Sequence, residues 1–145
     1  VDVSQNYERC KGEGVAVVMD SRRWVVLLKR SSTDVPQDSE RWVLPSGRIR
    51  LSETIEDGTV REVREETGLD VRLARLIRID WVITEFRTWV NKRLHFTFLA
   101  RSYGGALKPR DQKEILEAEW FLPDDLLGLI RPPWLRDFLL KEASR

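Results

Sequence analysis

The chain has one cysteine, one histidine and one methionine among 145 residues. A lone Cys10 cannot close an internal disulfide, which excludes a disulfide framework and fits a reducing cytoplasm. A catalytic role for Cys10 is not expected either, because a single histidine leaves it few base partners. That histidine, His95, falls in a strand-like segment and reads as a partnered structural residue, not a catalyst. No apolar run approaches the ~20 residues that span a bilayer, so no membrane partner is expected. The start lacks a basic stretch followed by an apolar core, so it does not read as a signal peptide. Position 1 is Val, not Met, so the start is read as processed or trimmed. The net charge of +1 supplies no global pull towards nucleic acid or a membrane surface. Internal repeats and low-complexity segments are missing as well.

What is present suits a folded, soluble protein. The chain is 41% hydrophobic and 34% charged, and its length predicts a single domain over residues 1–145. Residues 1–11 are polar and read as a loose arm. Val15 to Met19 is a β-branched run and reads as a buried strand. Trp24 to Leu28 reads as its hairpin partner. Arg30 to Arg41 is polar and reads as a loop, Trp42 to Leu44 as a short strand stopped by Pro45, and Ser46 to Ser52 as a loop into the central helix. Val71 to Ile79, Trp81 to Phe86, Leu94 to Leu99 and Ala118 to Leu122 read as further strands. Tyr103 to Gln112 reads as a loop and Pro123 to Leu129 as a short helix. After Pro133, Trp134, Leu135, Phe138 and Leu139 form an apolar stripe at helical spacing, expected to pack on the core. Strands on both sides of a central helix, with a helix at the end, predict an α/β fold with a mixed sheet between helical layers.

That central helix carries the chemistry. Gly47 to Leu69 holds six acidic residues, and past its opening loop its only basic residues are Arg61 and Arg64. A solvated helix would scatter Lys among its Glu at i,i+4 spacing. Placed on a helix over residues 54–67, Glu62, Glu65 and Glu66 share a sector roughly 100° wide. Carboxylates crowded this way repel one another unless a cation sits among them, and hard divalent ions take oxygen ligands. Thr54 with Asp57 has capping-box form, and Gly68 stands where a terminating glycine would. Gly58 reads as leaving room for metal and phosphate, with close packing on a neighbouring element as the alternative.

The spacing of Gly47, Glu53, Arg61, Glu62, Val63, Glu65, Glu66, Gly68 and Leu69 resembles the Nudix box, with every fixed position filled. The order of elements around the box extends the resemblance over residues 13–140. It implies an α/β/α sandwich and a pyrophosphohydrolase of nucleoside diphosphates linked to a group X, dependent on Mg²⁺ or Mn²⁺. It assigns metal binding to Glu62, Glu65, Glu66 and the Gly47 carbonyl, with Glu62 alternatively the base that activates water. Arg61 would orient the carboxylates and Glu53 would support it. The family often adds a carboxylate from a loop before the last strand, for which Glu114 is the first candidate and Glu117 the second. Homodimers are common in the family. Arg48 and Arg50 lie beside the expected phosphate site, and Trp89 is expected at a hairpin turn where a base can stack. The other tryptophans that follow the apolar pattern, Trp42, Trp81, Trp120 and Trp134, are expected mostly in the core.

The small size favours the nucleoside triphosphate or nucleotide-sugar type of substrate. Diphosphoinositol polyphosphates, given Arg48, Arg50, Lys92 and Arg93, are an alternative, as are ADP-ribose, dinucleoside polyphosphates and a non-catalytic nucleotide-binding module. Ser46, Arg50, Ser52, Gly58 and Thr59 depart from common family residues without removing a fixed box position, and they bear on substrate class more than on the reaction.

Overall fold

The structure is a computed structural model and describes residues 12–30, 42–85, 87–88, 90–110, 115–126, 128–130 and 132–144. Among these residues there are seven strands: β1 (Gly12–Met19), β2 (Val25–Arg30), β3 (Trp42–Val43), β4 (Ser46–Arg48), β5 (Leu69–Glu85), β6 (Val90–Gly105) and β7 (Ile115–Phe121). The helices among them are α1 (Ile55–Thr67), α2 (Pro123–Leu126) and α3 (Pro133–Ala143).

β1 is the centre of the sheet. It runs parallel to β6 from Gly12↔Leu94 to Met19↔Arg101. On its other side it pairs antiparallel with β4 at one end and touches β2 only at Met19↔Val25. The expected β1–β2 hairpin is therefore reduced to that single rung, and the long partner of β2 is β7, antiparallel from Val25↔Phe121 to Arg30↔Ile115. β5 and β6 form a long antiparallel hairpin with three irregularities. Three further expectations give way to long-range pairing. Ser46 to Arg48, read as loop, pairs with Val15 to Glu13. The two segments around Asp80 are one strand, and Tyr103 to Gly105 belongs to β6.

Alternation of side chains along β1 and β2 splits the core in two. Ala16, Val18, Val26 and Leu28 pack with Val63 of α1 on one face. Val17, Met19, Val25 and Leu27 pack with Leu126 of α2 and with Leu135 and Leu139 of α3 on the other. The result is the expected mixed sheet between helical layers. Trp42, Trp120 and Trp134 pack against these cores. Trp81 does not: it is 61% exposed, on a strand at the edge of the sheet. Its own face of that strand also exposes Ile79 and Ile83. Among the described residues, no helix is long and apolar enough to cross a membrane.

Candidate active site

Local sequence sets both ends of α1. The Thr54 hydroxyl accepts from the Asp57 backbone N–H at 3.0 Å, and Gly68 closes the helix in the left-handed region at φ 78°. Between these caps the acidic face is turned towards β4. The approach is close because two glycines face each other across the β1–β4 ladder, at Gly14↔Gly47. A Cβ on Gly14 would lie 1.9 Å from Thr59 Oγ1, and one on Gly47 would lie 2.1 Å from Glu62 Cδ. Gly58 has the packing role: a Cβ there would meet Ile49 at 2.7 Å and Glu53 Oε1 at 2.9 Å, so it makes room for the loop and not for a ligand.

Arg61 organises the carboxylates. Its Nε and Nη2 donate to Glu53 Oε2 at 3.0 Å and Oε1 at 2.7 Å. Its Nη1 donates to Glu62 Oε1 at 2.9 Å and Glu65 Oε2 at 3.1 Å, and its Nη2 also reaches the Arg48 carbonyl at 2.9 Å. The Arg61 hydrogen bonds to Glu53, aided by the Arg50 N–H and charge and opposed by burial, hold that carboxyl down at about 2. Arg61 is itself pushed above its ordinary value, first by Glu53 and then by Glu62.

Glu66 is buried, at 5% exposure, and held differently. One oxygen accepts from the Ser46 N–H at 2.8 Å and the other from Arg30, whose guanidinium also reaches the Ser46 carbonyl at 2.8 Å. Glu13, Arg30, Ser46, Gly47, Arg48, Glu62, Glu65, Glu66 and Arg93 line one polar cavity of about 440 Å³. Burial pushes Glu13 up, but the hydrogen bond and charge of His95, together with Arg93, outweigh it and hold Glu13 at about 2. His95 is thus a partnered residue, with Nε2 3.0 Å from Glu13 Oε2.

The structure therefore brings Gly47, Arg48, Glu62, Glu65 and Glu66 to one cavity, with Arg61 and Glu53 behind them. Arg50 is outside its lining, exposed and 3.9 Å from Glu65 Oε1. Glu117 is exposed on β7 opposite Lys29 and also outside the lining. Glu114 and Trp89 lie outside the described residues. Sequence reading assigned no role at this site to Glu13 or Arg30, which strand pairing brings in beside Arg93.

Among the described residues, no three acidic or histidine side chains form a closed metal cage as they stand. Glu62 and Glu65 each turn one oxygen onto Arg61, Glu66 is held by Arg30 and the Ser46 N–H, and Glu13 by Arg93 and His95. Mg²⁺ does not need such a cage: it is usually held by one or two carboxylates, with water and substrate phosphate completing the shell. Four carboxylates on one polar cavity fit that donor requirement.

A second cavity of about 500 Å³ adjoins the first and shares Ser46 with it. Its walls are mainly apolar, including Val15, Trp42, Leu129 and Trp134, and Asp80, His95 and Thr97 are polar groups within them.

The chain is similar to the 8-oxo-dGDP phosphatase NUDT18 of Danio rerio, with 32% identity over 136 residues, covering 82% of this chain and 39% of that protein. It spans only 22%, 32% and 39% of the length of three curated relatives that it matches. A MutT protein from Methanosarcina mazei has a similar structure, with TM-score 0.65 and 25% identity over 90% of this chain and 91% of that one. A NUDIX hydrolase from Nitrosomonas europaea shares the fold at TM-score 0.70 and 20% identity, over 92% and 88% of the two chains. Residues 11–141 match the NUDIX domain, and with the filled box, the sandwich and the Arg61-centred carboxylates, the chain belongs to the Nudix family.

Proposed function

We propose that this chain is a pyrophosphohydrolase of nucleoside diphosphates linked to a group X, of the nucleotide-pool kind: a nucleoside di- or triphosphate. The observation that carries the reading is the pair of adjoining cavities. One is lined by carboxylates and arginines, the other is apolar and within the size range of ligand pockets. A pyrophosphate with a nucleoside attached needs that combination. The relatives known as 8-oxo-dGDP phosphatases support the nucleotide-pool choice over nucleotide sugars.

Glu62, Glu65, Glu66 and the Gly47 carbonyl would hold Mg²⁺ or Mn²⁺. Such an ion neutralises phosphate charge and lowers the pKa of bound water. Arg61 keeps Glu62 and Glu65 in place through its fixed fork of donors. Arg30, Arg48 and Arg93 line the same cavity and present cations to phosphate oxygens. Glu62 would alternatively act as the base that takes a proton from the attacking water. The intact set Glu62, Glu65 and Glu66 weighs against a non-catalytic module.

The test is a phosphate-release assay with Mg²⁺ and Mn²⁺ on nucleoside di- and triphosphates, nucleotide sugars, ADP-ribose, dinucleoside polyphosphates and diphosphoinositol phosphates. Metal-dependent turnover of nucleoside di- or triphosphates is expected, falling by on the order of 10² or more in Glu65→Gln. The Glu65 side chain is 41% exposed, so that variant keeps its fold. Absence of metal-dependent turnover, or full activity in Glu65→Gln, would overturn the assignment.

A further inference from the structure

The polar groups of the apolar cavity are tied to one another across the sheet. Asp80 of β5 and His95 of β6 are cross-strand partners, and His95 is also the partner of Glu13 on β1. Cross-strand partners share a face, so Glu13, His95 and Asp80 form one row. The row begins in the carboxylate-lined cavity and ends in the apolar one. Two strand spacings, about 10 Å, separate its ends.

Each member is fixed. Arg78 grips Asp80 through both oxygens, Nε to Oδ2 at 2.5 Å and Nη2 to Oδ1 at 2.8 Å. The same guanidinium lies 4.8 Å over the ring of Trp134, joining β5 to α3 at the cavity wall. Glu13 fixes His95 in turn.

Resting on the nucleotide reading above, we propose that Asp80, set beside His95, selects a nucleobase with two adjacent N–H donors: a 6-oxo-2-aminopurine of the guanine class. A carboxylate only accepts hydrogen bonds, and its two oxygens keep lone pairs after Arg78 has donated one bond to each. The N1–H and exocyclic N2–H₂ of guanine are neighbouring donors on one edge and match it. Adenine offers an acceptor beside a donor, cytosine an acceptor beside its amino group, and uracil one donor between two carbonyls. Each of these sets a lone pair against a carboxylate oxygen. Arg78 and Glu13 are positioning residues in this arrangement.

The direct test is calorimetric titration of the whole chain, with Mg²⁺, by GMP, AMP, CMP and UMP, alongside hydrolysis of the corresponding triphosphates. GMP is expected to bind at least tenfold more tightly than AMP. In Asp80→Asn, whose amide can donate as well as accept, the GMP-to-AMP ratio should fall to within about threefold. Asp80→Ala, which presents no hydrogen-bonding group, should lose GMP affinity without gaining AMP affinity. Equal binding of the four monophosphates, or an unchanged ratio in both variants, would overturn the selection. Equal hydrolysis of all four triphosphates would sink base selection and leave the pyrophosphohydrolase standing. Hydrolysis of none, with the GMP preference intact, would sink the enzyme and leave the selection.

Discussion

Arg61 does at one position what three separate cations would otherwise have to do. Its guanidinium reaches Glu53, Glu62, Glu65 and the Arg48 carbonyl at distances between 2.7 and 3.1 Å. Five N–H donors in a rigid plane make this feasible; an ammonium has three on a compact head. Arg61→Lys keeps the charge and loses the fork. It should lower kcat/KM by about 10², since ångström-scale misplacement of catalytic groups is that costly. Steady-state kinetics on the preferred nucleotide measures it, and activity near that of the parent would show that the fork is dispensable. Arg61 and its partners were legible in the sequence because they lie within one loop and helix. Arg30 was not, because 36 residues separate it from Glu66 and only the sheet brings them together. The pairing of Glu13 with Arg93, 80 residues apart, is hidden for the same reason.

At the level of elements, two glycines on neighbouring strands separate packing from function. Gly14 faces Thr59, and a methyl group on it would lie only 3.1 Å from the helix backbone, so Gly14→Ala must push α1 off β1. Overpacking of this kind costs about 1–3 kcal/mol. At Gly47 the three atoms nearest to an added Cβ all belong to the outer part of the Glu62 side chain. That side chain can swing aside, so Gly47→Ala should leave stability nearly unchanged while lowering turnover at least tenfold. Chemical denaturation and kinetics on both variants decide it; equal destabilisation would refute the contrast. The ends of α1 were legible because a cap is a local event: Thr54 and Gly68 act on neighbours within four residues. β4 was not. Pro45 reads as a stop, yet its carbonyl accepts from Ala16 N at 3.0 Å and the chain rejoins the sheet at Ser46. Long-range pairing overrides the local signal there. The same holds at Asp80, a polar residue that reads as a break between two strands and instead sits within one long hairpin.

At the scale of the whole molecule, two carboxylates at opposite sides of the site tie its stability to pH. Glu53 and Glu13 are each held at about 2 against an ordinary value of 4.5. Glu53 braces the box loop onto α1, and Glu13 joins β1 to β6 through His95 and Arg93. A depressed folded-state pKa means that, between about 2 and 4.5, the unfolded chain binds more protons than the folded one. Stability therefore rises with pH through that window and is lost as pH falls through it. Urea unfolding from about pH 7 down to about pH 2 should show no contribution from these groups to the slope above about pH 5 and a progressive loss below about 4.5. Glu53→Gln removes one of the two depressed groups. Its stability at about pH 7 should be lower than that of the parent, and its decline between about pH 4.5 and 2 shallower, so that the two curves converge in acid. Parallel curves across that window would mean that the Glu53–Arg61 pair does not survive in solution, and the bracing of the carboxylate site by Arg61 would fall with it.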